Sequence, residues 1–171
     1  FNQTKVATMA IADHQGPVYL RFGRPKVPNF TSNDIPFEIG KGIVLNPGKD
    51  VTVAATGHLV WEALQAADAL EIEGISAEVI NIHTIKPLDT ELLISSVQKT
   101  GCIVSAEEHN YLGGLGESIA GALANNHPTP QEFVATKDTF GESGTPAQLM
   151  EKYGLNKTSI IAACKKAIRK K

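Results

Sequence analysis

Apolar residues follow two rhythms along the chain, short unbroken runs and stripes at helical spacing. Over residues 4–14, Val6 and Ala10, with Met9 a further candidate, predict the end of a helix that Gly16-Pro17 stops. Val18-Tyr19-Leu20-Arg21-Phe22 reads as a strand, and residues 24–34, rich in Pro, Asn and polar side chains, read as an interdomain linker. From Phe37 the pattern becomes regular. Residues 38–45 and 50–55 are strand candidates, and Asn46-Pro47-Gly48-Lys49 between them is a turn that favours antiparallel pairing. A helix is predicted over residues 59–73, with Val60, Leu64, Ala67 and Leu70 on one face and Gly74 after its end. A strand over residues 76–82 follows, then a helix over 90–99 with Asp89 as N-cap and Gly101 closing it. Residues 102–106 read as a short buried strand, 114–125 as a helix and 132–135 as a strand. Thr145-Pro146 opens a short helix to Tyr153, and Thr158 is the expected cap of a last helix bearing Ile160, Ile161, Cys164, Ala167 and Ile168.

Strands alternating with helices of this length predict parallel βαβ units. The expected fold class is α/β, an open and mostly parallel five-stranded sheet with one antiparallel edge strand and flanking helices. The 171 residues, 42% of them hydrophobic, are enough for a proper core. No apolar run approaches the roughly 18–20 residues of a membrane span. The net charge of −2 hides an asymmetry: Lys165, Lys166, Arg169, Lys170 and Lys171 stand at the very end, and the remainder is acidic. An acidic body repels a nucleic-acid backbone, so neither nucleic acid nor membrane is an expected partner. The basic end reads most simply as a solvated face complementing the last helix's dipole, with a membrane-surface or RNA role the sharper alternative. Cys102 and Cys164 form no CxxC pattern. One disulfide between them is conceivable; two buried thiols in a reducing cytoplasm fit their apolar settings better.

In an open α/β sheet, ligands bind at the carboxyl ends of the strands. Here those ends carry Thr56-Gly57-His58, Asn81-Ile82-His83, Glu107-Glu108-His109-Asn110 and Thr136-Lys137-Asp138. His58, His83 and His109 are therefore candidates for the edge of a site or an interface. They lack HxxH-type spacing and a carboxylate in register, so no metal ligand is assigned. Gly113-Gly114-Leu115-Gly116 before a helix could hold an anion on backbone N–H groups, but is read first as close helix–sheet packing. Gly116-Glu117-Ser118-Ile119-Ala120 nearly matches a nucleophile elbow, but Ser118 falls inside the helix. Gly141-Glu142-Ser143-Gly144 is read as a mobile or docking loop. No residue is assigned a catalytic role. Arg21 and Arg24 differ in kind: guanidinium groups at a strand end suit a phosphate, with an ion pair to another domain as the alternative.

The string from Gly16 to Pro25, GPVYLRFGRP, resembles the end of the pyrimidine-binding domain of transketolases. Ala106 to Gly116, AEEHNYLGGLG, is similar to the C-terminal-domain signature of that family, as are Ile85-Lys86-Pro87-Leu88-Asp89 and residues 138–144. The resemblance implies a transketolase C-terminal section: residues 1–25 ending the pyrimidine-binding domain, 26–36 a linker, and 37–171 the C-terminal domain. It implies thiamine diphosphate and Mg²⁺ in the full enzyme, held by regions outside this chain, since no GDG motif with its Asn pair occurs here. The implied partners are the remaining domains or a separate N-terminal subunit, a second copy in a homodimer, and sugar phosphates. On this resemblance Arg24 matches the arginine that grips a sugar phosphate, Arg21 is a weaker neighbour, and the chain alone is expected to be inactive. Related readings are a deoxyxylulose-phosphate synthase section, an oxo-acid dehydrogenase beta-subunit domain, and a purely non-catalytic assembly domain. Pro25-Lys26 after Arg24, in place of Gly-Asn, weighs against the synthase, and a phosphate-gripping Arg24 against the dehydrogenase.

Overall fold

A strand whose five residues are all buried needs partners on both edges and layers on both faces, and β2 (Val51–Ala55) is such a strand. In the computed structural model, which describes residues 1–23, 27–32 and 35–171, β2 lies at the centre of a sheet ordered β1-β3-β2-β4-β5. β3 (Ala77–Asn81) and β4 (Ile103–Asn110) flank it in parallel, with Val53 opposite Val79 on one side and Val104 on the other. β5 (Gln131–Thr136) continues the parallel run beside β4, and β1 (Ile43–Asn46) closes the far edge antiparallel to β3. Among the described residues this is the expected five-stranded, mostly parallel sheet with one antiparallel edge strand.

Helices cover both faces. Against one face pack α2 (Leu59–Ile72) and α6 (Lys157–Ile168), whose Leu59, Val60, Ala63, Leu70, Ile160 and Cys164 join Val53, Val79 and Val104. Against the other pack α3 (Thr90–Thr100) and α4 (Leu115–Asn126), through Leu93, Val97, Leu115, Ile119 and Leu123 onto Ala54, Ile80 and Ile103. α1 (Asn2–Ala12) precedes the sheet, and α5 (Pro146–Lys152) opens on a capping box between Thr145 and Gln148. Cys102 and Cys164 are free thiols on the α2/α6 side of the core. Burial pushes both upward, Cys164 to about 12, so both stay protonated.

Several local expectations are met. Asp89 caps α3, its Oδ1 accepting from the Leu92 N–H at 3.2 Å, and its Oδ2 also accepts from the Gly42 N–H at 2.9 Å, tying the approach to β1 onto α3. Gly101 ends α3 with φ 74°, in the left-handed region that suits glycine.

Four local expectations are overturned. The first two strands are not a hairpin, because β3 is inserted between β1 and β2. The turn signal marks a reversal but not its width. Here the turn passes over the start of β3: Lys49 and Asp50 both donate to the Ser76 carbonyl, and a Cβ on Gly48 would run into the backbone of Ala77 and Glu78. Residues 17–23 form no strand among the described residues, and Tyr19 and Phe22 are exposed. Alternating apolar residues show what could be buried, whereas a strand also needs a neighbour for its backbone groups. Met9 is exposed on α1, and Ala7 is the residue that packs inward. The last helix is capped by Asn156, whose Oδ1 accepts from Ser159 N at 2.9 Å, and Thr158 lies within its first turn.

β4 also runs four residues past its apolar stretch, and this extension matters most. Strand alternation puts Glu107 on the face covered by α4, where it is 1% exposed. Its carboxyl accepts from the N–H groups of Leu115 at 2.7 Å and Gly116 at 2.8 Å, satisfying two of the free donors that open α4. Gly114 and Gly116 make room for the arrangement. A Cβ on Gly114 would strike the Glu107 carboxyl, and one on Gly116 would lie 2.5 Å from the Phe133 ring. The basic C-terminal end is largely spent on the body: Lys165 pairs with Glu73, Lys166 and Lys170 converge on Glu132, and Lys171 donates to the Asp50 carbonyl.

Two predictions follow from these contacts. Replacing Glu107 with Ala strands two buried N–H donors and should lower unfolding free energy by about 3 kcal/mol in urea titration, with Glu107→Gln losing roughly half as much. For Glu132, burial alone would raise the carboxyl, but the hydrogen bonds and charges of Lys166 and Lys170 outweigh it and hold the group below its ordinary value. The unfolded chain therefore takes up this proton first as pH falls. The contribution is complete at neutral pH and disappears as pH drops through the folded-state value. Glu132→Gln should cost no more than about 1 kcal/mol near neutrality and flatten this part of the acid limb in melting temperature against pH.

Candidate functional site

The carboxyl ends of β2, β3, β4 and β5 open on one edge, and the predicted site residues are distributed along it. His58, the first residue before α2, places its Nδ1 3.2 Å from Oε2 of Glu108. Glu108, next along the strand, lies on the opposite face from Glu107, at the start of α2, with its side chain 45% exposed. The backbone carbonyl of Glu108 accepts from Nη1 of Arg21 at 3.5 Å. Gly23 lies against the other side of the His58 ring, where an added Cβ would stand 2.5 Å from Nε2. Arg21 and His58, far apart in sequence, thus meet at Glu108. Arg24 lies outside the described residues.

The other two histidines do not join this group. His83, after β3, stacks on Phe37 with ring centroids 4.3 Å apart and sets its Nδ1 3.0 Å from the Thr84 hydroxyl. Burial pushes His83 below its ordinary value and favours the neutral ring. His109 is exposed, its Nδ1 2.9 Å from the Asn110 carbonyl oxygen. The tip of β4 is instead closed against β5 by Asn110, which donates to Asp138 at 2.8 Å. Asp138 is held at φ 50°, a left-handed conformation that aspartate tolerates better than most residues. Among the described residues no three His, Cys, Asp or Glu side chains are grouped to hold a metal ion.

The glycine-rich turn before α4 does have the backbone geometry for an anion, and Glu107 occupies it. An outside phosphate would have to displace a buried carboxyl. Asp89 fills the corresponding position at α3. A diphosphate therefore does not fit either helix start, and no chemical step is assigned to one on this chain. Ser118 sits within α4 and donates to the Gly114 carbonyl at 3.0 Å, a helical back-bond rather than an exposed nucleophile. The 141–144 loop is exposed but anchored, since Glu142 pairs with Lys152 and its N–H donates to the Tyr153 hydroxyl at 3.0 Å.

Sequence reading places His58 at this edge and Arg21 at the end of a separate strand beside the linker, and does not show what joins them. Glu108 was visible only as the second of two adjacent acids. Alternation within a strand that outlasts its apolar stretch is the signal that separates Glu107 on the α4 face from Glu108 on the α2 face.

Comparison with known proteins agrees with this architecture. Residues 40–160 match the transketolase C-terminal domain. A 6-deoxy-6-sulfo-D-fructose transketolase subunit from a Clostridium species is 42% identical over 169 residues, covering 99% of this chain and 52% of that protein. A putative transketolase C-terminal section from Methanocaldococcus jannaschii is 37% identical, covering 99% of this chain and 54% of that one. A solved split-gene transketolase, described as an inactive beta4 tetramer, superposes with a TM-score of 0.95 at 47% identity, covering 98% of this chain and 55% of that one. The chain spans about half the length of these relatives. It belongs to the transketolase family and carries the family's C-terminal domain.

Proposed function

We propose that this chain is the C-terminal section of an enzyme assembly that transfers a two-carbon ketol unit between sugar phosphates, using thiamine diphosphate and Mg²⁺ held by other regions. Residues 1–25 then complete a pyrimidine-binding domain, 26–36 link it, and 37–171 form the C-terminal domain. The observation that supports this reading most is the segment carrying Arg21, which lies across the carboxyl edge of the sheet where an α/β domain meets its ligand. Arg24, three residues on, is assigned to the substrate phosphate together with Arg21. The cofactor supplies the carbanion chemistry when bound, and this section binds and orients the anionic end of the substrate. His58, His83 and His109 line the edge of the site or an interface, without a catalytic or metal-binding role.

The partner is a subunit or region bearing the remaining domains, within a homodimer of the whole, working in the cytoplasm. Relatives described as a subunit, a C-terminal section and a split-gene product are in keeping with a separately encoded partner. No helix among the described residues is long and apolar enough to cross a membrane. Deoxyxylulose-phosphate synthases also match, one at 38% identity over 149 residues. The assembled enzyme distinguishes the two readings by accepting a ketose phosphate rather than pyruvate as its donor.

Two measurements test the proposal. Calorimetric titration of the chain alone with thiamine diphosphate should show no binding at micromolar concentrations, and tight binding would sink the division of labour. In the assembled enzyme, Arg24→Ala should raise KM for phosphorylated acceptors roughly 10- to 100-fold, the loss expected for a charge-assisted contact. An unchanged KM would remove Arg24 from the substrate site.

A further inference from the structure

We propose that His58 is a positioning residue that clamps residues 21–23 across the carboxyl edge of the sheet, and thereby sets where Arg21 meets the anionic end of a substrate. The second half of this statement rests on the reading of Arg21 and Arg24 given above; the first half does not. Apolar burial does not hold the segment in place. Tyr19 is 87% exposed and Phe22 67% exposed, and residues 17–23 have no strand partner among the described residues.

The polar contacts, by contrast, converge. His58 begins α2 with helical backbone angles, φ −61° and ψ −32°, so its ring projects from a rigid helix start. Its side chain is only 18% exposed. On one side the ring meets the carboxyl of Glu108, whose direction toward the α2 face is fixed by β4 and by the anchored Glu107 before it. On the other side it meets the backbone at Gly23. Gly23 has no φ in the left-handed region, so glycine is needed there for room rather than for conformation. An added Cβ would be 2.5 Å from His58 Nε2 and 2.8 Å from Cε1. Arg21 completes the arrangement by donating to the Glu108 carbonyl. One imidazole is thus wedged between a fixed carboxyl and the passing chain, two residues from one arginine and one residue from the other. A displacement of even 1 Å at such a position is enough to weaken a bidentate grip on an anion.

Limited trypsin digestion of the full chain reads the clamp directly. Cleavage after Arg21 is the probe, and cleavage after Lys49, in the turn at the opposite edge of the sheet, is the internal reference. Gly23→Ala and His58→Ala should each raise the Arg21 rate relative to Lys49 by roughly five- to thirtyfold, the range that follows from losing a contact of this kind. His58→Gln, whose amide reaches the imidazole Nε2 position that faces Gly23, should restore most of the protection. Glu108→Gln provides a further variant should one of these lose its cooperative melt. In the assembled enzyme, His58→Ala should raise KM for phosphorylated substrate while kcat holds. Unchanged cleavage at Arg21 in folded variants overturns the clamp. Faster cleavage with an unchanged KM upholds the clamp and overturns the assignment of Arg21 to the substrate anion.

Discussion

The carboxyl of Glu107 is the interaction on which the ligand edge of this domain depends. It is a buried acid just past the apolar stretch of β4, and it accepts from two N–H groups at the start of the following helix. A helix start carries partial positive charge and unpaired donors, so an acid supplied from the preceding strand answers both needs at once. The bond fixes α4 against β4, which explains why both neighbouring positions must be glycine. It also fixes the phase of β4: with Glu107 on the α4 face, Glu108 falls on the opposite face, toward His58 at the start of α2. Geometry that looks local to a helix cap thus determines which side chains the edge presents.

How much of this was legible depends on where the apolar code stops. The central strands and the helices covering them are written in runs such as Val51 to Ala55 and in the stripe through Val60, Ala67 and Leu70, and these positions are buried. Punctuation by Asp89 and Gly101 was equally direct, because each performs a backbone task with few alternatives. The hairpin failed because Asn46-Pro47-Gly48-Lys49 specifies a reversal, whereas strand order is a tertiary choice. Complete burial of β2 requires partners on both edges, and β3 takes the place that β1 would have held. The 18–22 segment failed for the opposite reason, since it has the composition of a strand without a neighbour to pair with.

The site was legible only in part, because its chemistry lies where polar residues interrupt the periodicity. Three histidines at strand ends suggested a cluster, yet strand ends are spaced by sheet geometry rather than by a ligand. His83 is taken up by Phe37 and Thr84, and His109 lies beside its own neighbour's carbonyl. Among the described residues, His58 is the one of the three that meets residues from two other parts of the chain. Its partner Glu108 could not be recognised from spacing, because the contact closes over fifty residues of intervening sheet and helix.

A domain of this kind meets an anion with whatever the edge has not already used internally. Glu107 and Asp89 consume the starts of α4 and α3, Asn110 and Asp138 close on each other, and the lysines at the C-terminal end are mostly committed to Glu73 and Glu132. Self-satisfaction keeps the edge folded without a ligand, since an unfilled helix start or unpaired buried carboxyl would cost several times the net worth of an ordinary hydrogen bond. It also leaves recognition to a side chain delivered from elsewhere. Arg21 answers that description: it arrives on a segment outside the sheet, uses one guanidinium nitrogen on the Glu108 carbonyl, and retains other donors for a planar anionic partner. On the proposed function, the C-terminal domain would serve the substrate by holding a neighbouring piece of chain in register, and its own polar groups serve that placement.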